Sequence, residues 1–197
     1  MPLEDYQKKR NFDSTSEPKA ESSSTGVSSP GEAHPLKSKD MLEFVVNKHF
    51  ASRLHFDLRL ELDGVLKSWA VPKGPSINPK EKKLAIMVED HPLEYKDFEG
   101  IIPEGNYGAG KVYIWDHGTY HALDTDDMQQ NSQILREGLE KGHMTFILNG
   151  EKLKGEFALI RLKKASPKDW LLIKKNDEFA AEIDISALEV PGEAEEK

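Results

Sequence analysis

Three side chains able to hold a divalent cation, His49, His55 and Asp57, fall within nine residues, and Arg59 follows two positions later. Neutral imidazole suits transition metals such as Zn, Cu, Fe and Ni, whereas carboxylate and water suit Mn and Mg. Two His and one carboxylate would leave coordination positions open for water or substrate. Arg59 carries a planar fork that matches two phosphate oxygens. Together these residues suggest metal-assisted phosphate chemistry. The plainer alternative makes them polar residues on the exposed face of a strand, with Arg59 in a cross-strand ion pair.

The segment holding them supports a shared face. From Leu54 to Leu62, His55, Asp57, Arg59 and Glu61 alternate with Leu54, Phe56, Leu58, Leu60 and Leu62. Period-two alternation reads as a half-buried strand whose polar side chains point the same way. His91 follows the apolar run KLAIMVED and precedes Pro92, so it belongs to a strand-to-loop corner, where side chains face clefts. It could act as a general acid or a phosphate donor; a solvated loop histidine fits the sequence equally. Tyr95 could donate to a phosphate oxygen or simply pack. Lys73, in a Pro/Gly turn, and Lys83, at a strand start, could bind phosphate as point charges or lie on the surface. Arg53 reads as structural or surface. Pro103–Lys111 is glycine-rich but lacks the Walker spacing and leads into a strand, so it reads as a tight turn.

Composition limits the alternatives. The chain has 197 residues, enough for one domain with tails. With no Cys there is no disulfide, thiolate ligand or Cys nucleophile. No apolar run approaches the roughly 18–20 residues that span a bilayer, and the N-terminus lacks a signal-peptide core. A cytoplasmic, nucleoid-associated monomer with no membrane association is expected. The net charge of −8 argues against a protein that coats nucleic acid non-specifically. Residues 47–111 are balanced, with 10 Lys and Arg against 10 Asp and Glu, so a local cationic pocket remains open.

Residues 1–40 read as an N-terminal arm, Ser/Pro-rich and flexible after about residue 18 because it cannot bury enough apolar surface to offset its ordering entropy. Residues 191–197 read as a disordered tail. Between them, residues 41–190 contain eight short apolar or alternating runs. Turn signals at Asp63-Gly64, Pro72–Pro75, Asn149-Gly150 and Lys154-Gly155 separate several of them. The fold expected is mainly β, a compact antiparallel β-barrel of about eight strands with one or two short helices. Asp126–Lys141, ended by Gly142, is the best helix candidate.

The runs KHFASRLHFDLRLELDGVLKSWAVPKGPS and AIMVEDHPLEYKDFEGIIPEGNYGAGKVYIWDHGTY closely resemble the 3′-phosphoesterase domain of bacterial DNA ligase D and its free-standing bacterial and archaeal relatives. The resemblance runs from about Tyr6 through Lys175. It implies a β-barrel with a crescent-shaped groove, stand-alone here, that uses Mn²⁺ or another divalent transition metal to remove 3′-terminal ribonucleosides and then 3′-phosphates. The products would be 3′-OH ends for non-homologous end joining. It also implies DNA primer–template 3′ ends as substrate, and ligase, polymerase and Ku-type proteins as partners. By resemblance, His49, His55 and Asp57 are metal ligands, Arg59 and His91 engage the scissile phosphate, and Tyr95, Lys73 and Lys83 belong to the active site. The family's Arg-Asp-Phe and Thr-x-Glu-Pro motifs are similar to Arg10-Asn11-Phe12 and Thr15-Ser16-Glu17-Pro18, which adds Arg10 and Glu17. Two departures, Asn11 for an Asp and Lys83 for an Arg, bear on the phosphomonoesterase step. A non-haem Fe(II) oxygenase, also built on a His-x-Asp plus a second His, and a non-catalytic end-binding module are the competing readings.

Overall fold

The computed structural model describes residues 2–20, 41–123, 125, 127–190 and 193. Most of the flexible arm expected after residue 18, and all of the expected tail except residue 193, lie outside these. Helix α1 is Leu3–Lys8 and helix α2 is Met128–Lys141. The strands are β1 Leu42–Phe50, β2 Leu54–Leu62, β3 Val65–Val71, β4 Lys82–Met87, β5 Gly100–Ile102, β6 Gly110–Ala122, β7 His143–Gly150, β8 Lys154–Arg161 and β9 Asp169–Lys174. Antiparallel pairing runs β1-β2-β3-β4-β9-β8-β7-β6, and β1 pairs again with β6. Eight strands thus close into a barrel. The three-residue β5, which has no signal in the sequence, pairs with the first residues of β6, Gly110–Val112.

The Asp63-Gly64 turn forms as expected. Both residues have positive φ, 55° and 76°, the condition for a two-residue turn that matches strand twist. The two downstream turn signals act differently: Asn149-Gly150 ends β7 and Lys154-Gly155 begins β8. The connection itself is Glu151–Leu153, whose three backbone N–H groups donate to the Asp116 carboxylate. A side chain more than thirty residues away therefore makes this turn. Helix α2 begins two residues later than expected. Asp127 precedes it and accepts from the Gln130 N–H, an N-cap bond.

One face of the alternating strands fills the barrel. Phe44, Val46, Phe56, Leu58, Leu60, Leu62, Trp69, Phe146, Phe157, Leu159 and Trp170 pack together inside. The middle of the opposite face of β2 is not solvated, contrary to the half-buried expectation: Asp57 and Arg59 are buried like their apolar neighbours, while His55 and Glu61 at the ends of that face stay partly exposed. A second layer covers the outside of β1–β3. It consists of the N-terminal segment, the stretch Val88–Ile102 and the loop before β6. A small apolar cluster of Tyr6, Leu66, Tyr95, Phe98, Ile102 and Val112 fastens this layer down. Alternation reports that two faces differ, not that the polar one meets water. Among the described residues no helix is long and apolar enough to cross a membrane.

Candidate metal and phosphate site

Strand register sets the arrangement. His49 lies opposite His55, and Asn47 opposite Asp57, in the β1–β2 pair. Arg59 lies opposite Ser68 in the β2–β3 pair. Because side chains on one face recur every second residue, the two imidazoles, Asp57 and Arg59 share the outer face. One ligand atom each from His49, His55 and Asp57 lie within 4.8 Å of one another.

The backbone fixes which ring nitrogens face inward. His49 Nε2 lies 2.9 Å from the Gly108 carbonyl oxygen, and His55 Nδ1 lies 3.0 Å from that of Arg53. A carbonyl only accepts, so both nitrogens carry the proton. In the neutral rings, His49 Nδ1 and His55 Nε2 then present lone pairs to Asp57, at 3.5 and 3.6 Å. Two lone pairs and a carboxylate facing each other repel unless a cation sits among them. Histidines whose second nitrogen donates to a carbonyl are characteristic of metal ligands. The donor set therefore fits a divalent transition metal.

Arg59 lies directly behind the cluster. Its Nη2 donates to Asp57 Oδ2 at 3.2 Å, its Nε to Asn47 Oδ1 at 3.1 Å, and its Nη1 to Ser68 Oγ at 3.1 Å. The guanidinium carbon is 4.4 Å from the centre of the Tyr95 ring, within cation–π range. Burial alone would raise the Asp57 carboxyl. The charge of Arg59 beside it outweighs burial and holds Asp57 below the usual carboxylate range.

The N-terminal segment forms the roof. Tyr6, fully buried, donates its hydroxyl to the Pro18 carbonyl, closing residues 6–18 into a loop. Arg10 donates to Glu17 at 3.0 Å and to Glu89 at 2.8 Å. Its Nη2 lies 3.2 Å from His91 Nε2. Since arginine can only donate, Nε2 accepts, while His91 Nδ1 donates to the Glu89 carbonyl at 2.9 Å. Burial, then Arg59 and Arg10, push His91 well below its ordinary value, so the ring is neutral. Two backbone bonds to Leu66 anchor it beside β3. Tyr95 donates to Glu17 at 3.2 Å, and burial pushes its hydroxyl well upward.

These groups surround a cavity of about 180 Å³. Of the residues expected from sequence, it gathers His49, His55, Asp57, Arg59, His91, Tyr95, Arg10 and Glu17. It does not gather Lys73, exposed in the β3–β4 turn, or Lys83, which pairs with Glu81 on β4. Asn11 is exposed and uses its side chain in a local turn to Asp13. Sequence reasoning missed Glu89, the fully buried Asn47, and the Gly108 carbonyl. Glu89, two residues before His91, carried a weak signal; Asn47 sat in an apolar-looking strand; a carbonyl has no residue-type signature. The guanidiniums of Arg10 and Arg59 face three lining carboxylates, Glu17, Asp57 and Glu89. Lys9, on Glu89 at 2.9 Å, brings the balance to zero.

An antiparallel barrel with a His-His-carboxylate cluster and an arginine on its outer face, and a second arginine laid over them by the N-terminal segment, defines a class of candidate phosphate-handling metal sites. Within that class the assignment is narrower. The model of the DNA Ligase D 3′-phosphoesterase domain family matches residues 47–161, and the chain belongs to this family. It is 49% identical over 184 residues to the multifunctional non-homologous end joining protein LigD of Pseudomonas aeruginosa, covering 93% of this chain and 20% of that protein. The corresponding protein of Mycolicibacterium smegmatis is 43% identical over 136 residues, 69% of this chain and 17% of that protein. The LigD DNA repair protein of Mycobacterium tuberculosis is 50% identical over 118 residues, 60% and 14% respectively. The chain thus spans no more than a fifth of the length of these relatives.

Proposed function

We propose that the chain is a Mn²⁺-dependent 3′-end-healing phosphoesterase acting at primer–template ends in non-homologous end joining. It would remove a terminal ribonucleoside by phosphodiester cleavage and then the remaining 3′-phosphate. The convergence of His49 Nδ1, His55 Nε2 and Asp57 in one cavity with Arg10, Arg59 and His91 carries this reading. His49, His55 and Asp57 would hold the metal, which supplies Lewis-acid polarisation of a phosphate oxygen and offsets developing charge. With Lys9 on Glu89 counted, the charged side chains at the cavity balance, so a bound divalent cation would give the cavity its net positive charge toward a phosphate.

The chain's own groups have assignable tasks. Each guanidinium has five N–H donors. Arg59 uses three on Asn47, Ser68 and Asp57, and Arg10 uses four on Glu17, Tyr6, Glu89 and His91. Three N–H groups then remain for phosphate oxygens, fixed before substrate arrives. His91 rests neutral with its one lone pair, at Nε2, accepting from Arg10, so it orients that guanidinium toward the phosphate; it would take a proton from an attacking water or 2′-hydroxyl only by exchanging the Arg10 bond for that group. Glu17 and Glu89 hold Arg10 in place, and Tyr95 backs Arg59.

The test uses a 5′-labelled primer–template ending in one ribonucleotide, incubated with Mn²⁺, with EDTA, and with His55→Ala protein. Stepwise, metal-dependent conversion to a 3′-phosphate and then a 3′-OH is expected, and His55→Ala should lose both steps. Tight end binding without turnover under any divalent metal would overturn the enzymatic reading. Full activity of His91→Ala would remove its assigned role.

A further inference from the structure

We infer that Tyr107 is a stacking platform for a nucleobase flanking the phosphate bound in the cavity; this deepens, and rests on, the reading given above. The cavity is about 180 Å³, well below the ~300 Å³ at which pockets begin to enclose a small organic ligand. A phosphate and its ester oxygens fit inside. A nucleoside does not, so its base must lie across the rim.

Tyr107 occupies that rim. Among the described residues it is the one exposed side chain lining the cavity, at 50% relative exposure. It belongs to neither apolar cluster, so no apolar core holds this large aromatic side chain at the rim. Its neighbour Gly108 supplies the carbonyl that orients His49, which puts the ring one residue from the metal cluster. Lys9 Nζ and the Arg10 guanidinium lie 4.7 and 5.4 Å from the ring centre. An aromatic face beside cations at the mouth of a phosphate site is the combination by which proteins hold unpaired nucleotides.

The loop is built before any ligand binds. Gly105 and Gly108 take positive φ, 87° and 78°. The Asn106 side chain donates to the Pro103 carbonyl at 3.1 Å and accepts from Ser14 Oγ at 2.8 Å. The second bond ties the loop to the N-terminal roof. A platform held in this way loses little conformational freedom on binding.

The test measures primer-end binding by fluorescence anisotropy, and KM and kcat where turnover occurs, for wild type, Tyr107→Ala and Tyr107→Trp. Substrates end in a ribonucleotide, in an abasic ribose, in two successive abasic sugars, or in a 3′-phosphate. Tyr107→Ala should weaken binding of the ribonucleotide end roughly 5- to 100-fold, and Tyr107→Trp should preserve it. Loss of the ring and loss of the base should not add. An effect confined to the ribonucleotide end assigns the leaving base; an equal effect on the 3′-phosphate end assigns the base on the retained strand. Binding within two-fold of wild type on every substrate, or an equal loss on an end whose last two sugars are both abasic, overturns the proposal. So does a parallel loss of Mn²⁺ affinity, which would mean the ring acts through Gly108 and His49. Anisotropy reads base dependence even in a protein that does not cleave, so failure of the platform is separable from failure of the enzymatic reading.

Discussion

Replacing Arg59 with Met tests whether the polar outer face of β2 depends on one guanidinium. The side chains of Arg59 and Asp57 are only 4% and 10% exposed, so solvent screens their pairing little. Met keeps the length and the contact with Tyr95 but abandons three acceptors: the Asp57 carboxylate, Asn47 Oδ1 and Ser68 Oγ. Removing one partner of a buried ion pair costs about 3–5 kcal/mol, because the other charge stays buried without compensation. In a protein of this size each kcal/mol shifts the midpoint of thermal unfolding by roughly 2–4 °C, so a fall of about 6–20 °C is expected in EDTA-treated protein. The pH dependence identifies the cause. In the wild type Asp57 is held low despite its burial, so its contribution is present above the unfolded carboxylate value and disappears as pH falls through the folded one. Without Arg59, burial dominates and the folded carboxyl rises. Its ionisation then opposes folding at neutral pH, and protonation relieves it. The stability gap between wild type and variant should narrow from about pH 7 to about pH 4.5, and Asp57→Asn in the Arg59→Met background should recover much of the loss. Urea unfolding at both pH values measures this. A gap below about 1 kcal/mol, or one unchanged with pH, would refute the claim that Arg59 compensates a buried Asp57 charge.

Further outcomes follow from the same geometry. His91 has a depressed folded value, so below its ordinary 6.5 the unfolded chain takes up a proton that the folded chain refuses, and stability falls as pH drops. His91→Gln should flatten that part of the stability–pH curve measured by denaturant unfolding. Gly108→Ala has room for its Cβ, 3.8 Å from His49 Cε1, but keeps a φ of +78°. It should cost about 1–2 kcal/mol of stability and, by disturbing the carbonyl that orients His49, weaken Mn²⁺ binding about 10-fold or more in a metal titration. Lys73→Ala and Lys83→Ala should leave Mn²⁺ affinity unchanged in the same titration, since neither lines the cavity.

Local chemistry made much of this protein legible. The eight barrel strands followed from short alternating runs, and the Asp63-Gly64 hairpin from residues that accept positive φ. The shared face of His55, Asp57 and Arg59 followed from the period of a strand, which is a property of the backbone. His49 required the register of β1 on β2, and register is set by which side chains fill the barrel.

Only the tertiary structure decided the rest. The turn at Glu151–Leu153 depends on Asp116, and Arg10 meets Glu89 and His91 across about eighty residues. Such contacts leave no periodic trace, because nothing local requires them. Whether the polar face of β2 met water or a second layer was likewise undetermined: alternation encodes a difference between faces, and what covers the second face comes from distant chain. The selection of Nδ1 on His49 and Nε2 on His55 as inward lone pairs was set by two backbone carbonyls. Every residue has a carbonyl, so composition and spacing carry no mark of the ones that matter. The sequence determined which groups could do metal and phosphate chemistry; long-range packing determined their protonation, their partners and the small volume in which they act.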